Sequence, residues 1–321
     1  MKNVKKYLKT IVCLAAITTL ILGCSGKTDS AKSMKQKETS SASVTSESAN
    51  ISKTADSTAS SATEEVSTQA TLKTTSVNVF IAASLSNAMD EIAKLYNKTQ
   101  PNVTINFNAD SSGTLMTQIE EGAACDIFFS AATAQMDELN TKGLIEADTR
   151  TDLLNNKVVL VTAKGTNTKV TGFDNMNLAK NMALADGSVP VGKYTRKILM
   201  NEGILTKADD PSTITTQQVS SALGNVEINE CSNVSKVLES VKEKSNEIGT
   251  VYYSDAYSVK DDVTILATAD KSLSGDIIYP VALVKNQEAA QEETKAAQDF
   301  LKFLKSNEVK AIYQKYMFEV K

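Results

Sequence analysis

The feature that most restricts the fold of this chain is an alternation: from Val77 onward, short β-rich runs are each followed by segments whose apolar residues recur at helical spacing. Residues 77–83 favour a strand and run directly into residues 84–96, where Leu85, Met89, Ile92, Leu95 and Tyr96 share one helical face behind serines placed as N-caps are. Residues 103–107 read as a second strand, and the loop Asp110-Ser111-Ser112-Gly113 leads to a helix over 114–121 ended by Gly122. A third strand over 126–131 precedes a helix near 134–141. Strands alternating with helices predict an α/β fold built on largely parallel sheet.

The pattern then repeats. Residues 157–162 form an apolar strand that can carry the chain into a second lobe, where 181–185 is a strand, 186–192 a Gly/Pro loop and 194–202 a helix. A helix over 233–244 precedes a strand at 248–253, and the chain returns through strands at 263–266 and 277–284 to an amphipathic helical region over 289–316. Two lobes with a cleft between them accommodate these elements, the first from 77–158 and 259–321, the second from 159–258.

The chain ahead of Val77 is of another kind. Lys2, Lys5, Lys6 and Lys9 precede a 12-residue, mostly apolar stretch, 11–22, too short for a span of about 20 residues and matching a secretory signal. Leu22-Gly23-Cys24 resembles the bacterial lipobox, so residues 1–23 are expected to be removed and Cys24 to carry lipid. Between residues 25 and 76, 24 of 52 residues are Ser or Thr and none is aromatic; such a segment cannot bury enough apolar surface to offset its ordering entropy. It is read as a disordered tether that reaches roughly 40 Å as a flexible coil.

Composition excludes several chemistries. The 321 residues contain no histidine, which removes Ser-His-Asp and Cys-His catalysis and imidazole zinc sites. The net charge of −4 becomes −8 once the four signal lysines are gone, and no basic footprint for nucleic acid remains. No C-x-x-C pair suggests a zinc ribbon or redox site; Cys125 and Cys231 are read as buried thiols, with a disulfide the alternative in an exported protein.

Ser84 and Ser112 lie at strand-to-helix junctions, where unpaired N–H groups and the positive end of a helix point outward. Neither loop holds a lysine or arginine, and no phosphate-binding G-x-x-x-x-G-K-[ST] motif occurs. A small, fully ionised oxyanion held by neutral donors fits these loops, although a serine at a helix start is most often a plain cap.

Several segments, in order, resemble the molybdate-binding protein of ABC importers: residues 79–89, the Ser111-Ser112-Gly113-Thr114-Leu115 loop with 118–123, the strand 126–131, Val189-Pro190-Val191-Gly192-Lys193-Tyr194, residues 249–256 and Tyr279-Pro280-Val281-Ala282. The resemblance covers residues 77–321. It implies a two-lobed periplasmic-binding-protein fold of type II that closes on its ligand. It also implies an oxyanion site at Ser84, Ser112 and Tyr252 with main-chain donors at Val191 and Val234. The implied role is to bind molybdate or tungstate, with no cofactor and no catalysis, and to deliver the ion to an ABC importer permease. As a lipoprotein the chain would be an extracytoplasmic monomer held to the cell membrane through Cys24.

Molybdate is a tetrahedral dianion without protons near neutral pH, so a site that offers only donors selects it against protonated oxyanions. Six to eight charge-assisted bonds at roughly 1.5–3 kcal/mol each outweigh association costs of about 4–15 kcal/mol sufficiently for micromolar binding. Asp110 stands where the family usually has a small neutral residue; a carboxylate turned inward would repel the dianion, so it is expected to point outward. Other small oxyanions, such as sulfate, are the alternative ligands. A serine enzyme is the reading from a different class, and it lacks a base: neither serine loop carries Ser-x-x-Lys, and the chain has no histidine.

Overall fold

The computed structural model describes residues 71–321. The signal segment, Cys24 and nearly all of the tether lie outside these residues. Eleven strands form two sheets among the described residues. In chain order they are β1 Thr75–Ala82, β2 Val103–Asp110, β3 Ile127–Phe129, β4 Thr151–Asn156, β5 Val158–Ala163, β6 Asn181–Ala185, β7 Glu227–Cys231, β8 Ile248–Tyr252, β9 Val263–Thr268, β10 Ile277–Leu283 and β11 Glu319–Val320. The first sheet runs β11-β4-β10-β3-β1-β2 and the second β7-β6-β8-β5-β9.

The first sheet is parallel where strand-helix units build it, β1 pairing with β2 and β3, and antiparallel where β10 returns beside β3 and β4. Its central strands β1, β3 and β10 are buried on both faces: Val77, Val79 and Ile81 join one apolar cluster, while Phe80 joins another with Leu115, Ile119, Phe128, Met136 and Leu139. Neighbouring residues of a strand point to opposite faces, so covering both faces converts alternation into an unbroken apolar run. In the second sheet β6 pairs parallel with β7 and β8, and β5 lies antiparallel between β8 and β9.

Several boundaries differ from those expected. Strand β9, assigned above to the first lobe, pairs with β5 in the second sheet, so the return crossing falls between Thr268 and Ile277 and not at 259. The outward crossing is Asn156-Lys157-Val158, between β4 and β5. Strands β4, β7 and β11 were not expected. Their sequences are polar, and they exist because a neighbouring strand supplies the ladder. The helix expected over 194–202 begins earlier, as Pro190–Asn201, with proline at its first position, where no N–H is required. The final helical region divides into Gln291–Leu304 and Asn307–Lys315. Cys125 and Cys231 are both buried and unbonded.

Candidate functional site

The parallel strands of both sheets end at one cleft. Strand β1 ends two residues before Ser84, β2 ends two before Ser112, β6 ends six before Val191, β7 ends three before Val234, and Tyr252 closes β8. The carboxyl ends of strands in open α/β sheets are where ligands are bound, since the following helices direct their unpaired N–H groups there. All five residues line a single cleft, together with Asp110, Ser111, Pro190 and small apolar residues. No lysine or arginine lines it. Among the described residues, no group of three or more His, Cys, Asp and Glu side chains is placed to hold a metal cation.

Each of the five residues is placed by its local structure. Ser112 opens the helix Ser112–Glu120, and the residue that caps this helix is its neighbour Ser111, whose Oγ accepts from the Thr114 N–H at 3.1 Å. The Ser112 Oγ instead accepts the Ala131 N–H at 2.9 Å, which uses a lone pair and leaves the hydroxyl proton to donate. Ser84 sits within a short 3₁₀ turn, Ala83–Leu85, and the serines there do not cap the following helix: the cap position of Ser86–Tyr96 is Leu85, and Ser86 Oγ donates back to the Ala83 carbonyl. Val191 is the second residue of its helix and Val234 the first of Val234–Lys242, so neither N–H has an intrahelical acceptor.

Gly192 allows the second-lobe loop to fold tightly under that helix. A Cβ there would lie 2.1 Å from the Asp186 carbonyl oxygen and 2.4 Å from that of Ala185, so only glycine fits. A Cβ on Gly113 of the first lobe would lie 3.0 Å from the Ser188 carbonyl oxygen of the second, which shows how closely the lobes approach.

Tyr252 is 1 % exposed, and its hydroxyl has no hydrogen-bond partner. Its ring meets the Tyr279 ring edge-on, with centroids 5.7 Å apart. Burial raises both phenols well above their ordinary range, so each keeps its proton. A buried hydroxyl without a partner costs about 1–3 kcal/mol, and an acceptor entering the cleft would relieve that cost.

Asp110 corrects the expectation that it points away. It lines the cleft, where its Oδ1 accepts from the Ser111 N–H at 2.7 Å and from Asn233 Nδ2 of the opposite lobe at 3.0 Å. Asn233 thereby acts twice, since its own Oδ1 caps the Val234 helix by accepting the Lys236 N–H. The carboxylate serves as a latch across the cleft, and two donors disperse its charge.

Four residues behind the cleft were not among the expected site residues. Asn156 and Tyr279 back Ser84, and Arg196 backs the Val191 helix, its buried guanidinium donating to the Ala185, Gly192 and Ile214 carbonyls. Asp255 accepts the Tyr252 N–H at 3.1 Å, and burial pushes its carboxyl up from 3.8 to about 7 against that bond. Between those values the folded protein keeps a proton that the unfolded chain has released. The stability from this group is therefore full below about pH 4 and is lost as pH rises to about 7. Asp255→Asn retains an acceptor for Tyr252 and is expected to gain stability relative to wild type progressively across that interval. Melting temperatures of both proteins from pH 4 to 8 check this, and a constant difference between them would contradict it.

A model of the bacterial extracellular solute-binding protein family matches residues 77–319. The chain belongs to this family, as an extracytoplasmic substrate-binding protein of an ABC transporter and not an enzyme. It is 32 % identical over 247 residues to a Bacillus subtilis protein named "Putative ABC transporter substrate-binding lipoprotein YvgL", covering 77 % of this chain and 87 % of that one. It is 31 % identical over 251 residues to the molybdate-binding protein ModA of Haemophilus influenzae, covering 76 % and 90 %. Among solved structures, the "substrate binding domain of putative molybdenum ABC transporter from Clostridium difficile" aligns with a TM-score of 0.54 at 30 % identity, over 76 % of this chain and 98 % of that one. The two-lobed fold of such proteins is the fold described above.

Proposed function

We propose that this protein captures molybdate or tungstate in the cleft between its lobes and delivers it to an ABC importer, as a lipoprotein anchored through Cys24. The ion is held by the hydroxyls of Ser84, Ser112 and Tyr252 and by the main-chain N–H groups of Val191 and Val234. The observation that carries the reading is the buried Tyr252 hydroxyl, a donor without an acceptor beside two serine loops. Support for the ion comes from a relative named for molybdate and a solved structure named for molybdenum. A dianion with four acceptor oxygens and no proton satisfies donors from both lobes and so favours the closed form.

Calorimetric titration of the globular region with molybdate, tungstate and sulfate tests this, with micromolar or tighter binding of the first two expected. Tight sulfate binding without a response to molybdate would leave the cleft and replace the ligand. Tyr252→Phe separates the binding role from packing. It removes an unpaired buried hydroxyl, so the melting temperature of the ligand-free protein should hold or rise while molybdate affinity falls roughly 10- to 100-fold, the loss of one hydrogen bond to a charged group. Equal affinity in this variant would exclude Tyr252 from the site.

A further inference from the structure

Ser84 has one proton and two lone pairs, and only a hydroxyl that points its proton into the cleft helps a bare oxyanion. What sets that direction lies behind it. The Ser84 Oγ is 2.9 Å from the Tyr279 hydroxyl, and either group alone is able to donate. Tyr279 also receives Asn156 Nδ2 at 3.2 Å, and the same amide nitrogen donates to Ser254 Oγ of the second lobe at 2.9 Å. The Asn156 amide is not free to turn over, because its Oδ1 accepts the Lys157 N–H at 2.8 Å. Its NH₂ therefore faces Tyr279 and can only donate. That bond occupies a lone pair on the phenol, and Ser84 Oγ is the acceptor within hydrogen-bond distance of its proton. Asn156, Tyr279, Ser84 and Ser254 are all buried.

We propose that Asn156 and Tyr279 are positioning residues that impose one direction on this chain of bonds, amide to phenol to serine to ligand, and so make Ser84 an obligate donor that discriminates against oxyanions carrying a proton. The inference rests on the oxyanion reading of the cleft and adds the source of its selectivity. Asn156 occupies the β4–β5 crossing and bonds to groups of both lobes, so the direction is set at the pivot and does not depend on one lobe alone.

The test is competition between molybdate and hydrogen phosphate at about pH 8, where the two ions carry the same charge but only phosphate has an O–H to donate. Asn156→Asp replaces a donor by an acceptor. Tyr279 then donates to the new carboxylate and accepts from Ser84, whose proton is withdrawn from the cleft. Molybdate affinity is expected to fall roughly 10- to 100-fold, with hydrogen phosphate falling less, so the ratio of molybdate to phosphate affinity drops. Equal ligand charges cancel the repulsion by the added carboxylate from that ratio. Tyr279→Phe adds no charge, frees the Ser84 lone pair and is expected to lower the ratio by a smaller factor; it carries the test alone should Asn156→Asp fail to fold. Hydrogen phosphate that competes no better in either variant than in wild type, even with weaker binding of both ions, overturns the relay and leaves a packing role. A wild-type protein that takes up no oxyanion overturns the proposed function and the relay together.

Discussion

Replacing Ser84 and Ser112 together by alanine is expected to weaken molybdate binding by roughly 2–5 kcal/mol, a loss of about 30-fold to several thousandfold in affinity. In the proposed site each hydroxyl donates to a doubly charged ion, and bonds to charged groups carry about 1.5–3 kcal/mol net. The two substitutions differ in what they leave behind. Without the Ser112 Oγ, the buried Ala131 N–H loses its acceptor, so this change also lowers the stability of the ligand-free protein, by about 1–3 kcal/mol. Without the Ser84 Oγ, the Tyr279 hydroxyl still has Asn156 as a donor but has nothing to donate to. Calorimetry on the single and double variants, with melting curves of each, separates the two contributions. Unchanged affinity in the double variant would remove both serines from the site.

Arg196→Met is expected to cost more in stability than any surface change, about 3–5 kcal/mol, and to lower the melting temperature by roughly 10 °C. The side chain is 0 % exposed, and its guanidinium donates to the carbonyls of Ile214, Ala185 and Gly192 at 2.6, 2.9 and 3.0 Å and to Thr216 Oγ1 at 3.1 Å. Methionine fills much of the volume but strands three interior carbonyls. Two of these, Ala185 and Gly192, frame the turn that aims the Val191 N–H into the cleft, so ligand affinity should fall with stability. Arg196→Lys restores the charge but not the planar fork that reaches four acceptors, and it should recover only part of the loss. Melting and titration of both variants check this; an Arg196→Met protein that melts with wild type would show that the loop is held by other means.

Much of the first lobe was legible because its structure is local. The strand over 77–83 and the helix behind it announce themselves through alternation and through apolar residues three and four apart, patterns set by neighbours along the chain. The five cleft residues were legible through a family resemblance supported by the chemistry of loops at strand ends, and the structure brings all five to one cleft. Local reading failed where a partner from elsewhere in the chain decides the outcome. Strand β4 is polar, Thr-Asp-Leu-Leu-Asn-Asn, and is a strand because β10 and β11 flank it; β9 has the composition of either lobe and is claimed by β5. Asp110 was expected to turn outward from its charge alone, but Asn233, 123 residues away, supplies the donor that makes the inward position tolerable.

By itself, then, the sequence determined that this chain is an α/β protein with no histidine chemistry, and that serine-bearing junctions after its strands suit a small anion. Periodicity, composition and the conformational preferences of single residues act over a few positions, and these properties need nothing more. The tertiary structure alone decided which strands belong to each sheet, where the chain crosses between lobes and which groups stand behind the donors. Ser84 meets Tyr279 from 195 residues away, and Tyr279 meets Asn156 from 123. A hydrogen bond across such distances exists only after both lobes have packed, because its direction depends on partners that no local pattern encodes.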